Sequence, residues 1–140
     1  MKTIIIMCLA FFLSCLDVDS MASEIKGRPL KFISSCNLDL NNDGSDDIAL
    51  LVETDSGREL IILVRKPEGF DAFLISNVAQ YEYLSCYYGD SLQETSVGKG
   101  NKKGRVFKTP GAYVELAHPE GPSRAYFWNG KDFTEVQIAD

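Results

Sequence analysis

Hydrophobic and polar residues alternate with a period of two through much of this chain. In the segment 31–38, Phe32, Cys36 and Leu38 fall on one face, which predicts a strand. The segments 48–52 and 59–65 are apolar on both faces, and this pattern indicates strands that are buried on both sides. Turn-forming residues at 54–57 separate them, so we expect a hairpin at the centre of a sheet.

The rest of the chain continues in the same manner. Further strands are predicted at 70–75, 81–88, 112–117, 123–128 and 133–138. Asn129-Gly130 is the strongest hairpin signal, because both central residues of a type I′ turn need a positive φ. No segment after residue 22 has a convincing helical period. The sequence therefore predicts a single all-β domain at 23–140, an antiparallel meander or sandwich.

The N-terminus is typical of an export signal. Lys2 precedes an apolar run at 4–16, and the small residues Ser20 and Ala22 mark a cleavage site. The run is shorter than the about 20 residues that span a membrane. Cleavage after Ala22 is the preferred interpretation, with 1–22 as the signal peptide. The alternative is a lipoprotein anchored through Cys15. Both predict a periplasmic or secreted protein without a membrane span.

Either cleavage leaves Cys36 and Cys86 in the exported chain. An oxidising compartment favours a disulfide between them, and two buried free thiols are the alternative. Closing a loop of this length would stabilise the fold by about 4 kcal/mol on the chain-entropy model.

The charge is acidic. Removing residues 1–22 takes away Lys2, Asp17 and Asp19, which changes the net charge from −6 to −5. An acidic balance argues against a nucleic-acid partner, because phosphates select a basic surface. The basic exception is the stretch 96–105, predicted to be a mobile loop. It is either a solvated loop or a site for an anionic partner, with four candidate residues: Lys99, Lys102, Lys103 and Arg105.

Oxygen-bearing side chains recur at alternate positions in the loop 39–47. Asp39, Asn41 and Asp43 precede a glycine that allows a sharp turn, and Asp47 closes the loop. Calcium takes six to eight oxygen ligands, mainly carboxylates and carbonyls, so the pattern predicts a calcium site. The alternative is a metal-free polar turn. An EF-hand is excluded, because its twelfth position is Leu50 rather than glutamate and no helices flank the loop.

The loop resembles the DxNxDGxxD motif of FG-GAP or VCBS-type repeats, as found in integrin α-chain propellers. The match extends into the apolar strand at 48–52. This resemblance implies calcium held by five residues: Asp39, Asn41, Asp43, Ser45 through its carbonyl, and Asp47. A structural role for the ion is the preferred interpretation, and a regulatory role is the alternative. A closed propeller needs at least about four blades of about 40–50 residues, for which this chain is too short.

Catalytic patterns are missing from the sequence. His118 is the only histidine, and no GxSxG motif is present, so we predict that the protein is not an enzyme. Tyr81, Tyr83, Tyr87 and Tyr88, with Trp128, form either an exposed recognition face or core packing. The prediction is an exported calcium-binding module that recognises a protein or glycan. The alternative is a periplasmic inhibitor or immunity protein that blocks a cell-wall hydrolase or lysozyme.

Overall fold

The computed structural model describes residues 30–96 and 103–138, and strands dominate both ranges. The strands are β1 (Lys31–Leu38), β2 (Asp47–Thr54), β3 (Gly57–Lys66), β4 (Gly69–Val78), β5 (Tyr83–Gln93), β6 (Val106–Ala117), β7 (Ser123–Trp128) and β8 (Phe133–Ile138). They form two four-stranded sheets, in the order β1-β2-β3-β4 and β5-β6-β7-β8. Every pairing is antiparallel between chain neighbours. The predicted all-β meander is confirmed, and these residues do not form a propeller.

The centre of the first sheet is the predicted hairpin of β2 and β3. One face of this hairpin packs against the second sheet, which contributes Val114, Leu116 and Tyr126 to the shared core. The opposite face forms a separate cluster around Ile48, Leu50, Val52, Ile61 and Leu63. The two-sided apolar pattern of these strands therefore corresponds to burial on both faces.

The hairpin of β5 and β6 is longer than the sequence predicted. The register shifts between Gly89 and Ser91, where the Thr109 hydroxyl donates a hydrogen bond to the Gly89 carbonyl. Beyond this bulge the strands continue as an arm, and Glu94 forms a bridge with Ile138 of β8. A bulge inserts an extra residue and bends the strand, so the alternation of side chains is interrupted there. The sequence pattern therefore placed the end of β5 at 88 and the start of β6 at 112.

The arm covers part of the outer face of the second sheet. Leu92 and Phe107 from the arm pack with Ala125, Phe127 and Val136 on β7 and β8. The outer side of β5 and β6 before the bulge is only partly covered, with Tyr113 of β6 packed against this cluster. It carries Tyr83 and Tyr87, which face the same way because side chains two apart in a strand share a face.

The two sheets are joined covalently. Cys36 on β1 and Cys86 on β5 form a disulfide with a Cα–Cα distance of 6.0 Å across a sequence separation of 50. This confirms the predicted pair. A closed loop of this size stabilises the fold by about 4 kcal/mol on the chain-entropy model.

Several predictions concern residues outside the described ranges. The signal peptide at 1–22, the anchor at Cys15 and the basic residues Lys99 and Lys102 all belong to this group. Within the described residues, no helix has the length and apolar character to cross a membrane.

Candidate functional site

Asp47 connects the acidic loop to the sheet. It is fully buried, and its two carboxylate oxygens accept hydrogen bonds from the backbone N–H groups of Leu40 and Arg65, each at 2.8 Å. Leu40, also fully buried, places its side chain in the core between the sheets. The carboxylate thus ties both the start of the loop and the end of β3 to the start of β2.

The rest of the loop is held by its own side chains. The Asp39 carboxylate accepts hydrogen bonds from Asp43 N–H at 3.0 Å and Gly44 N–H at 2.8 Å. Asn41 donates to the Asp43 carboxylate at 2.8 Å, and Ser45 N–H donates to the same carboxylate at 2.9 Å. Side chains of Asp and Asn that bond to nearby backbone groups are typical of tight turns, and here they form a continuous network.

The carboxylates of the loop have different electrostatic surroundings. Burial raises the pKa of Asp47, and the nearby charges of Asp43 and Asp39 act in the same direction. Hydrogen bonds from the Asn41 amide and the Ser45 N–H lower the pKa of Asp43. The charges of Asp43 and Asp39 therefore act on Asp47 within a short loop, which is an arrangement that a cation would relieve.

The loop suits calcium in chemistry but is already hydrogen-bonded internally. Among the described residues, no group of three or more His, Cys, Asp or Glu side chains is arranged to hold a metal ion. An ionised carboxylate offers about four lone-pair sites, so Asp39 and Asp43 keep acceptor capacity beyond their present bonds. A bound ion would share these oxygens with the backbone N–H groups. Asp47 is a candidate ligand and is also the residue that connects the loop to the sheet.

The described part of the basic stretch has a structural contact. Arg105 forms an ion pair with Glu94 at 3.2 Å and lies over the Phe107 ring. Lys103 is exposed. Arg105 therefore helps to hold the two strands together at the far end of the arm, and its role in partner binding stays a prediction.

The tyrosines are exposed, whereas the tryptophan is not. The exposed fractions are 58% for Tyr81, 54% for Tyr83, 43% for Tyr87 and 79% for Tyr88. Trp128 is half-buried and packs edge-on against Phe73 at 5.5 Å. Trp128 thus belongs to the core. Tyr83 and Tyr87 share one face of β5, next to Tyr81 in the preceding turn, and these three form an aromatic surface, whereas Tyr88 lies on the opposite face of the strand.

An open pocket lies at one end of this aromatic surface. It encloses about 340 Å³ and is lined by Tyr81, His118, Pro119 and Glu120. The rings of Tyr81 and His118 meet edge to face with centroids 4.7 Å apart. Ala117, next to His118, pairs in register with Tyr83, so the pocket adjoins the tyrosines of β5.

Both turns that form the pocket are fixed by hydrogen bonds. His118 Nδ1 accepts a bond from Glu120 N–H at 3.1 Å, and His118 N–H donates to the Ser123 hydroxyl at 3.1 Å. In the other turn, the Glu82 carboxylate accepts from Ala79 N–H at 2.6 Å. The pocket is therefore preorganised.

A buried ion pair joins the turn before β5 to the start of β7, which directly follows the other turn. Arg124 Nη2 lies 2.6 Å from the Glu82 carboxylate, and the Glu82 side chain is only 5% exposed. Burial opposes the charge of Arg124, but the hydrogen bond to Glu82 and the charges of Tyr126, Glu82 and Glu135 together outweigh burial and raise the pKa of the guanidinium. Neither this pair nor the pocket was predicted from the sequence, since the residues are up to 42 positions apart.

These features define an all-β domain of two sheets, linked by a disulfide, with an acidic loop and an aromatic surface. Comparison with protein-family models, curated proteins and solved structures found no match for this chain.

Proposed function

We propose that this protein is an exported, non-catalytic binding module that recognises a protein or a glycan. The observation that carries the proposal is the group of exposed tyrosines Tyr83 and Tyr87, on one face of β5, with Tyr81 in the turn before it. Tyrosine supplies a large contact area with a polar end and few rotatable bonds, and it is enriched among the residues that dominate binding energy. Three such rings, two on one face of β5 and one in its preceding turn, support a recognition surface.

In this proposal the acidic loop binds calcium and stabilises the fold. The support is the spacing of Asp39, Asp43 and Asp47 in one short loop: burial raises the pKa of Asp47, and the charges of Asp43 and Asp39 act in the same direction. The ion would supply positive charge to these oxygens, and the ligand set is that of the sequence prediction. The loop lies at the β1–β2 connection, whereas the tyrosines lie on β5, so the role of calcium would be structural.

Melting in calcium and in chelator tests this role. We expect a lower melting temperature after chelation, and Asp43→Ala is expected to abolish the calcium response. Asp55→Ala is the matched control, because Asp55 is an exposed carboxylate in the β2–β3 turn. An identical melting curve with and without calcium would show that the loop is a metal-free turn.

The export proposal combines the N-terminal pattern with the disulfide, which fits an oxidising compartment. Mass spectrometry of the protein recovered from the exporting cell distinguishes the two processing routes. A chain starting at Ser23 supports cleavage after Ala22, and an acylated Cys15 supports the lipoprotein. Recovery of the uncleaved chain would contradict both.

The binding proposal is tested by capture on the exported protein. The double variant Tyr83→Ser/Tyr87→Ser removes two rings from one exposed face, and Glu68→Gln serves as a surface control. We expect a protein or glycan that is retained by the control and lost with the double variant. A ligand retained equally by both variants would show that the aromatic surface does not bind it.

A second candidate is an inhibitor or immunity protein for a cell-wall hydrolase or lysozyme. The exposed Lys103, in the connection between β5 and β6, favours this candidate because a basic loop at this position can enter a cleft. Deleting residues 99–103 is expected to abolish inhibition of such an enzyme while leaving the fold intact. Full inhibition by the deletion variant would contradict this candidate.

A further inference from the structure

The pocket beside the tyrosines has the chemistry of a site for a cationic side chain. Its lining combines two aromatic rings, Tyr81 and His118, with Pro119 and the carboxylate-bearing Glu120. Among the described residues, Glu120 has no ion-pair partner, and it is exposed at the pocket. An aromatic face next to a carboxylate attracts a guanidinium or ammonium group through cation–π and charge-assisted contacts.

We infer that this pocket is a specific anchor site for an arginine or lysine side chain of a protein partner. The inference rests on the proposed binding function and names its partner chemistry. The acidic charge of the chain, −6 in total, is complementary to a basic protein surface. Electrostatic complementarity of this kind raises association rates and selects among partners.

The partner is a polypeptide because the surface continues beyond the pocket. Tyr83 is 54% exposed and pairs directly with Ala117, which lies next to the pocket. Tyr87 lies four residues further along β5, at about 13 Å for a strand rise of about 3.3 Å per residue. A chain anchored by its basic side chain in the pocket therefore has exposed rings to contact on either side of Ser85.

The preorganised turns favour binding because little conformational entropy is lost when a ligand enters. The bonds of His118 to Glu120 and Ser123, and the ion pair of Glu82 with Arg124, hold the two turns before any ligand is present. Rigidity of a site in its bound form increases affinity mainly by reducing the entropy lost on association.

The direct test is a titration of the exported protein with acetyl-Gly-Ser-Arg-Ser-Gly-amide, followed by NMR at Tyr81 and His118. The matched probe replaces arginine by citrulline, which has nearly the same shape without the charge. We expect the arginine peptide to shift these resonances at millimolar concentrations and the citrulline peptide to bind at least about threefold more weakly. Equal binding of the two peptides would overturn the inference.

Four variants separate the pocket from general charge effects. Tyr81→Leu and Glu120→Gln are each expected to raise the Kd for the arginine peptide by about two- to fivefold. Tyr81→Phe keeps the ring and is expected to bind like the wild type. Glu68→Gln removes an exposed carboxylate from the β3–β4 turn and should have no effect. An equal loss in Glu68→Gln and Glu120→Gln would show that the attraction is non-specific.

Failure of the anchor can be distinguished from failure of the binding function. If a partner depends on Tyr83 and Tyr87 but binds Tyr81→Leu and Glu120→Gln with wild-type affinity, the binding function stands and the anchor assignment is wrong. If no partner is captured but the arginine peptide binds as described, the pocket chemistry stands and the proposed function is wrong.

Discussion

The acidic loop and the pocket at Tyr81 and His118 differ in whether their carboxylates are bonded within the fold or exposed to solvent. In the loop, the carboxylates of Asp39, Asp43 and Asp47 accept hydrogen bonds from the chain's own backbone. At the pocket, the Glu120 carboxylate is exposed and the Tyr81 ring is 58% exposed. The loop resembled a functional motif in the sequence, whereas nothing in the sequence singled out the pocket.

The difference shows that a concentration of polar residues is not by itself a binding surface. Groups that are satisfied within the fold contribute to stability, and leaving one unsatisfied costs about 1–3 kcal/mol. Groups that remain exposed on a rigid support are available to a partner. We therefore expect substitutions in the loop to change stability, and substitutions at the pocket to change binding.

The largest expected effect comes from Asp47→Ala. This change leaves the buried N–H groups of Leu40 and Arg65 without their acceptor, and we expect a loss of about 4 kcal/mol in the free energy of unfolding. Urea unfolding measures it. Asp46→Ala, which removes an exposed neighbouring carboxylate, should change stability by less than about 0.5 kcal/mol. A loss below about 1 kcal/mol for Asp47→Ala would show that the loop contributes little to the fold.

The next largest effect is expected at the ion pair of Glu82 with Arg124, which lies beside the pocket. Glu82→Gln removes the charge that Arg124 contacts in a site where the Glu82 side chain is 5% exposed, and we expect a loss of about 2 kcal/mol. Affinity for the arginine peptide should also fall, because the two turns lose their connection. Glu53→Gln breaks the more exposed pair with Lys31 and should cost less than about 1 kcal/mol. Equal effects of the two variants would contradict the importance of the buried pair.

A smaller effect is expected for Gly44→Ala in the loop. Gly44 has a φ of +87°, and an added Cβ would meet no atom within 4 Å, so backbone strain is the only cost. We expect a loss of about 1 kcal/mol in the free energy of unfolding. Asn42→Gly, at a φ of 59°, is the reverse change and should be nearly neutral. An unchanged stability in Gly44→Ala would show that the turn relaxes.

Local pattern was sufficient to predict most of the fold. The alternation at 31–38, the two-sided apolar segments of β2 and β3, and the pairing of Cys36 with Cys86 all appear in the structure. These features depend on near neighbours or on the redox compartment, and both can be inferred from one sequence. The arm could not be predicted, because it depends on the bulge at Gly89 and on packing against β7 and β8.

The candidate site was predictable only in part. The loop residues are adjacent in sequence, so their association in space follows from the turn itself. The pocket instead joins the turn at Tyr81 to the turn at His118, and the meander connectivity of the second sheet brings them together. A single histidine before a proline carries no signal for such a contact in the sequence.

The smallest change in stability is expected for Tyr81→Ala. The ring is more than half exposed and its main aromatic contact is His118, so we expect a loss below about 1 kcal/mol. Tyr126→Ala is the benchmark, because Tyr126 is 2% exposed and should cost about 3–5 kcal/mol. Urea unfolding of both variants, followed by titration of Tyr81→Ala with the arginine peptide, separates the two roles. Weaker peptide binding with wild-type stability would place Tyr81 in recognition, whereas a large stability loss with unchanged binding would place it with Asp47 among the residues that hold the fold.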